Sequence, residues 1–268
     1  MGSILDQSKL EGDADGEYDQ DCAVFHQRVG FLFDRLGEYN LALDMYKVQL
    51  MMIEKEFGGD HHYMYYPLVN IVNVLKRQGK YEEALNNYTK ALTIAENKWG
   101  SDHEQVAMIL CNMGEVYRMQ DEYDKAIDVL NRALAIQKEK LGHDHQETAD
   151  TLVSIANLML VQGKNEEAME KYQQGMPIYE KEYGSDSVDV ARVLNNIAGT
   201  LYNQGNYKDA MEKFNRSLAI YEKVYGMNHS TTINTRRNIE NLKKKNAHRK
   251  FHTNQCQERG NRLNNDYK

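Results

Sequence analysis

The sequence of 268 residues contains only two prolines, Pro67 and Pro177. Because proline removes a backbone donor and interrupts helices, so few of them in a chain of this length predict an almost entirely α-helical protein. No apolar run approaches the roughly 18 residues that a membrane span needs. The acidic N-terminus also lacks the apolar stretch of a signal peptide. These absences disfavour a membrane protein and a secreted one.

Cysteine is scarce as well. The three cysteines, Cys22, Cys111 and Cys256, are odd in number and far apart, so they predict neither a disulfide framework nor a zinc site. This usage is typical of a reducing, cytoplasmic setting, and association with the cytoskeleton is left open. Motifs for phosphate-binding loops, dinucleotide folds, zinc proteases and nucleophile elbows are missing too. We therefore expect no enzymatic activity, no cofactor and no small-molecule substrate.

The net charge of −7 is unevenly distributed. Residues 1–21 hold seven acidic residues and one basic residue, whereas residues 243–268 hold eight lysines and arginines and two acids. The region between them is acidic, which argues against nucleic acid as the main ligand because phosphate binding needs a basic face. We expect an acidic disordered segment at 1–21 and a basic disordered tail at 246–268.

An internal repeat dominates the rest of the chain. One motif occurs five times at a step of 42 residues, as LGEYNLALDMY, QGKYEEALNNY, QDEYDKAIDVL, QGKNEEAMEKY and QGNYKDAMEKF. A second keeps the same step, as FGGDH, WGSDH, LGHDH, YGSDS and YGMNH. Apolar residues at helical spacing predict two helices in each copy, with the Gly-x-Tyr segment as the turn between them.

Four columns of the repeat have a structural interpretation. An alanine column marks a close approach of two helices, and an aromatic or leucine column fills the space beside it. The members are Ala42, Ala84, Ala126, Ala168 and Ala210, and Tyr46, Tyr88, Leu130, Tyr172 and Phe214. The Asp or Asn of the second motif is predicted to cap the next first helix. Its histidines are expected to brace the loop, because layers about 10 Å apart cannot share a zinc ion with ligands at about 2 Å.

The Gly-x-Tyr-x-x-Ala pattern with a following aromatic resembles the tetratricopeptide repeat (TPR), although the usual length is about 34 residues. The segment LNNIAGTLYNQGNYKDAMEKFNRSLAIYEKVYGMNH, residues 194–229, resembles the repeats of kinesin light chains and nephrocystin-3-like proteins. The resemblance implies an all-α, right-handed TPR solenoid over residues 22–242. We expect repeats at about 22–60, 61–102, 103–144, 145–186 and 187–228, followed by a capping helix at 229–245.

The resemblance also implies that the first helices line a concave groove that holds extended protein segments. Asparagine has a donor and an acceptor, so a ladder of Asn side chains can pair with a peptide main chain, while basic residues select acidic side chains. The candidate peptide-binding residues are Asn70, Asn73, Asn112, Asn157, Asn196, Asn238, Lys76, Arg77, Arg118 and Arg192. An alternative interpretation is that the first Asn column braces neighbouring helices.

The sequence therefore favours a non-catalytic interaction scaffold, a kinesin-light-chain-like adaptor for extended, acidic or aromatic peptides. One alternative is the same solenoid acting without a motor, because the segment before the first repeat carries no heptad pattern for joining a heavy chain. A second is a nucleic-acid or membrane-surface module that acts through the basic tail.

Overall fold

The computed structural model describes the backbone of residues 20–265 and the side chains of residues 21–247. Within this range the chain forms eleven α-helices and one short 3-10 helix, and no strand. The helices are α1 (Gln20–Leu36), α2 (Tyr39–Phe57), α3 (Tyr65–Arg77), α4 (Tyr81–Trp99), α5 (Glu104–Met119), α6 (Tyr123–Lys140), α7 (Gln146–Val161), α8 (Asn165–Tyr183), α9 (Val188–Asn203), α10 (Tyr207–Tyr225) and α11 (Ser230–Asn265), with the 3-10 helix at His62–Met64. All-α architecture is confirmed.

The helices alternate as the repeat predicts, with a first and a second helix in each copy. The second helices begin at the Gly-x-Tyr tyrosine or, in the fourth copy, at Asn165. The last helix differs from the prediction. It was expected over 229–245, but α11 continues to Asn265, and no proline between those positions removes a backbone donor. Residues 1–19, which hold most of the predicted acidic segment, lie outside the described residues.

The chain divides into two compact units, residues 1–136 and 137–268, and the boundary falls inside α6. In the first unit, α1 packs on α2, α2 on α3, α3 on α4 and α4 on α5. In the second unit, α7 packs on α8, α8 on α9, α9 on α10 and α10 on α11. Each unit is thus a stack of helix pairs in which every pair buries its apolar side on its neighbours.

The alanine and aromatic columns form the centre of each helix pair. All five alanines are 0% exposed, and the five residues of the aromatic column are buried as well. The helices also approach closely at Gly30 of α1 and Gly114 of α5, where an added Cβ would lie 2.7 Å from the ring of Tyr46 and from Cγ of Leu130, respectively. The predicted role of both columns in packing is confirmed.

The loops between repeats combine a helix end with a helix start, but the capping residue is not the one that the sequence suggested. Glycines such as Gly100, with φ of 93°, end the second helices. The next first helix is capped by histidine: Nδ1 of His103 accepts from the backbone N–H of Gln105 at 3.1 Å. His61, His145 and His229 make the same contact, and Oγ of Ser187 replaces it in the fourth loop. The N-cap residue is therefore histidine rather than the aspartate or asparagine before it, and the histidines brace the loop through capping.

In three of the loops, an aromatic residue at the end of the second helix stacks on the capping histidine. Phe57 stacks on His61 with ring centroids 4.6 Å apart, Trp99 on His103 at 5.6 Å, and Tyr225 on His229 at 4.4 Å. Stacking fixes the imidazole plane so that Nδ1 stays directed at the first turn. The spacing of aromatic and histidine in the second motif therefore has a structural cause.

Candidate functional site

The predicted binding residues all lie on first helices. Asn70 and Asn73 are three residues apart on α3, and Lys76 and Arg77 follow at the end of that helix, while Asn112 and Arg118 lie on α5. In the second unit, Asn157 lies on α7, Arg192 and Asn196 on α9, and Asn238 on α11.

Two of the predicted cations of the first unit already hold internal partners. Nζ of Lys76 donates to Oε2 of Glu115 at 2.6 Å, which links α3 to α5. Arg77 pairs with Asp34 of α1, whose side chain is only 8% exposed while that of Arg77 is 49% exposed. Because Asp34 is buried, its charge depends on this partner, so Arg77 has a structural role.

Arg118 differs from these two cations. It is exposed at the end of α5 and has no ion-pair partner among the described residues. Its guanidinium is therefore available to a carboxylate of a ligand, with which it can form a bidentate pair.

The three asparagines of the first unit that were predicted to bind peptide also lack a side-chain partner within the described part of the chain. Asn70 and Asn112 are half-buried and Asn73 is exposed, and none of the three makes a side-chain hydrogen bond within the described part of the chain. The buried hydroxyl of Tyr88 likewise finds no hydrogen-bond partner there. Burial, followed by the negative charge of Glu115, raises the pKa of Tyr88 above its ordinary value. The hydroxyl therefore stays protonated and is a donor without an acceptor.

In the second unit the equivalent side chains are paired. Oδ1 of Asn157 accepts from the hydroxyl of Tyr172 at 2.5 Å and from Nδ2 of Asn196 at 2.8 Å. Tyr172 is completely buried, and burial raises its pKa above the ordinary value. The network joins α7, α8 and α9, so Asn157 and Asn196 brace neighbouring helices, as the alternative interpretation of the Asn column held.

The unpaired side chains of the first unit and the paired side chains of the second unit occupy equivalent positions two repeats apart. Asn73, Tyr88 and Asn112 correspond to Asn157, Tyr172 and Asn196, yet the first triad is open and the second is closed. We refer to Asn73, Tyr88 and Asn112 as the open triad. Sequence reasoning treated both tyrosines as packing only. The sequence nevertheless indicates a polar role for these hydroxyls. Leu130 and Phe214 fill the same column without a hydroxyl, so packing alone does not require one.

The remaining predicted residues of the second unit are less well placed for a common site. Arg192 lies 3.4 Å from Oδ1 of Asp189 on its own helix, with both side chains about half exposed. Asn238 is exposed on α11 and has no side-chain hydrogen bond among the described residues. Their assignment to peptide binding remains a prediction.

The described part of the chain holds no group of three or more His, Cys, Asp or Glu residues suited to a metal ion. None of its helices is long and apolar enough to cross a membrane. A cavity of about 280 Å³ lies between α2, α3 and α4, with Leu43, Leu50, Ile71 and Leu75 in its lining, and no predicted site residue contributes to it.

Comparison with protein families identifies the repeat. The model of the tetratricopeptide repeat matches residues 20–97, 63–139, 105–181 and 189–245. The chain belongs to the tetratricopeptide repeat family. Comparison with curated proteins gives no significant match.

Solved structures share the fold at low sequence identity. The kinesin light chain TPR-like repeats of Podosopora anserina are 16% identical, with a TM-score of 0.66 over 77% of this chain and 98% of theirs. BtubC (BKLC) from P. vanneervenii is 18% identical, with a TM-score of 0.62 over 84% and 82%. A tetratricopeptide repeat protein from Parabacteroides merdae is 22% identical, with a TM-score of 0.62 over 85% and 76%. These likenesses show the fold, and a TPR fold is consistent with a protein–protein interaction scaffold.

Proposed function

We propose that this TPR protein is a non-catalytic scaffold that holds an extended peptide segment against the first helices of its first unit. The observation that carries the proposal is the open triad. Its two amides and its buried hydroxyl lack partners within the described part of the chain, whereas the equivalent triad of the second unit is closed. A peptide main chain supplies the alternating donors and acceptors that such amides need.

Charge on the same helices favours an acidic ligand. Arg118 is exposed and unpaired in the described part of the chain, and Lys76 is held by a Glu115 side chain that is itself 45% exposed. A ligand carboxylate can pair with Arg118 directly and can compete with Glu115 for Lys76. An exposed ion pair contributes at most about 1 kcal/mol, so this exchange costs little.

The finer form of the proposal is a kinesin-light-chain-like adaptor for cargo peptides, and it draws support from the repeat motifs and from the similar solved structures. The alternative, an assembly scaffold that works without a motor, uses the same peptide site. Both predict binding of an acidic segment and differ only in the partner that carries it.

Binding should be tested with peptides selected from a random 12-residue display library against the full chain, then measured singly by fluorescence anisotropy. Asn73→Ala together with Asn112→Ala is expected to weaken binding about tenfold or more, because each lost hydrogen bond is worth about 1 kcal/mol. Arg118→Ala should weaken acidic peptides selectively. Glu115→Gln should tighten them, because it frees Lys76.

Asn86→Ala is the matched control, since Asn86 is an exposed asparagine on the second helix α4. It should leave affinity unchanged. Binding that survives loss of both amides but disappears without residues 243–268 would instead support the nucleic-acid or membrane-surface alternative. The proposal fails if no selected peptide distinguishes the double variant from the Asn86→Ala control.

A further inference from the structure

The helix α11 occupies the position of a first helix, and it shows which side of a first helix packs on the preceding helix pair. No second helix follows α11 in the described part of the chain, so the residues that α11 buries are buried against α10 and the preceding pair. These residues are Thr232, Thr235, Ile239 and Leu242, with relative exposures between 0% and 4%. They form one stripe at spacings of three and four residues.

The same stripe exists on α1. Its members are Cys22, Phe25, Val29 and Leu32, which align with the stripe of α11 in the repeat. Phe25 and Leu32 are each 59% exposed. Their equivalents in the following first helices are buried: Pro67, Ile109, Thr151 and Val193 for Phe25, and Val74, Val116, Leu158 and Thr200 for Leu32. The helix α1 therefore exposes the apolar side that α11 buries against the preceding helix pair.

The other end of the repeat array is built differently. On α11, the positions that would face a following second helix are Arg236, Glu240 and Lys243, which are polar, and the latter two are exposed. A polar outer face is what a terminal repeat needs for solubility. The apolar stripe of α1 departs from this pattern, which indicates a surface that is covered in the intact protein.

We propose that residues 1–19 of this chain cover the apolar stripe of α1. This segment joins α1 directly and contains Ile4, Leu5 and Leu10, along with six acidic residues and one lysine. The exposed stripe is flanked by Arg28 and Arg35. Apolar side chains of the segment then lie on Phe25 and Leu32, while its carboxylates lie near the two arginines.

The geometry permits this arrangement. Helical rise places Leu32 about 18 Å from Gln20. The chain from Gln20 back to Leu10 spans up to about 33 Å when extended, so Leu10 and the residues before it can reach along the whole stripe. Gly12 and Gly16 allow the reversal of direction that the segment requires.

A second copy of the chain fits the stripe less well. In a symmetric antiparallel pairing of α1 with its copy, the centre of contact falls between Phe25 and Leu32, so Arg28 would face Arg28. The exposed Lys243, Lys244 and Lys245 of α11 would likewise bring basic charge to the two arginines. Charge complementarity therefore favours the acidic segment, and this inference does not depend on peptide binding.

Hydrogen–deuterium exchange of the full chain, read by mass spectrometry, tests the contact. The amides around Leu5 and Leu10 are expected to exchange at least about tenfold more slowly than an unstructured peptide. Leu32→Asp should return them to the unstructured rate. Leu41→Asp is the matched control, because Leu41 is an exposed leucine of α2 outside the stripe. It should leave protection intact.

A second variant guards against misfolding of the first. Leu5→Ser with Leu10→Ser changes no residue of the described helices and should speed exchange in α1. Unstructured exchange of residues 1–19 in the unaltered protein would overturn the proposal. Protection that grows with protein concentration, together with a dimer mass in sedimentation, would overturn it in favour of a second copy.

Discussion

Tyr88 and Tyr172 occupy the same column of the repeat and are both completely buried, so Tyr→Phe is the same change in the same setting. The two hydroxyls differ only in their partners. That of Tyr172 donates to Asn157 at 2.5 Å, whereas that of Tyr88 has no partner in the described part of the chain. We therefore expect the two substitutions to change the free energy of unfolding in opposite directions.

The magnitudes follow from the contacts. Tyr172→Phe removes one neutral hydrogen bond, worth about 1 kcal/mol. Oδ1 of Asn157 keeps Nδ2 of Asn196 at 2.8 Å, so no acceptor is orphaned and the loss should stay near that value. Tyr88→Phe removes a buried donor that carries a desolvation cost of about 1–3 kcal/mol. Part of that gain is offset by lost packing, which leaves a stabilisation of about 1 kcal/mol.

Urea denaturation of the full chain measures both variants. Trp99 is the only tryptophan and lies in the first unit, 5.5 Å from the ring of Tyr65, so its fluorescence reports on the unit that contains Tyr88. Far-ultraviolet circular dichroism follows the second unit as well. A shifted midpoint at constant slope reports a change in stability alone.

The result that refutes the reasoning is a Tyr88→Phe variant destabilised as much as Tyr172→Phe. Such an outcome would mean that the hydroxyl of Tyr88 makes a stabilising contact in solution. The open triad would then be closed, and the proposed peptide site would lose the observation that carries it.

Four further predictions concern the fold and are read from unfolding midpoints. Gly114→Ala should destabilise by about 1–3 kcal/mol, because its Cβ would lie 2.7 Å from Cγ of Leu130. Gly199→Ala, with nothing within 4 Å, should stabilise by about 1 kcal/mol, and equal effects would contradict the packing argument. Asp121 adopts φ of 60° where the other turns have glycine, so Asp121→Gly should raise the melting temperature, and a lower one would be evidence against strain. Burial, followed by Asp34, raises the pKa of Tyr46 to about 12. The unfolded state therefore releases this proton first, and stability should fall above about pH 10, less so in Tyr46→Phe.

The sequence predicts most of the fold because repetition tests each inference five times. The alanine column, the turns within each helix pair and the starts of the second helices are found where the 42-residue step places them, whereas α3 begins at Tyr65, three residues later than the step from Gln20 predicts. A prediction from the sequence is wrong where two neighbouring residues can make the same kind of interaction. Asp102 and His103 both carry acceptors suited to capping, and the structure places the extended N-cap conformation, with φ of −81° and ψ of 150°, at His103, whose imidazole accepts from the first turn.

The candidate site is less predictable, because equivalent residues of different repeats form different contacts. Sequence spacing assigned Asn73 and Asn157 to one column and Lys76 and Arg77 to one function. The structure separates them: Asn157 is bonded while Asn73 is free, and Arg77 serves the buried Asp34. Hydrogen bonds weaken within a few tenths of an ångström, so small differences between repeats decide which side chains remain available.

By itself, the amino-acid sequence determined the helical class, the length of the repeat and the residues that face each core, because apolar burial depends on periodicity and volume. Tertiary structure alone decided which amides are paired, which residue caps each helix, and that Phe25 and Leu32 of α1 are exposed. Those properties depend on distances between side chains that are far apart in the chain, and no local pattern of residues specifies them.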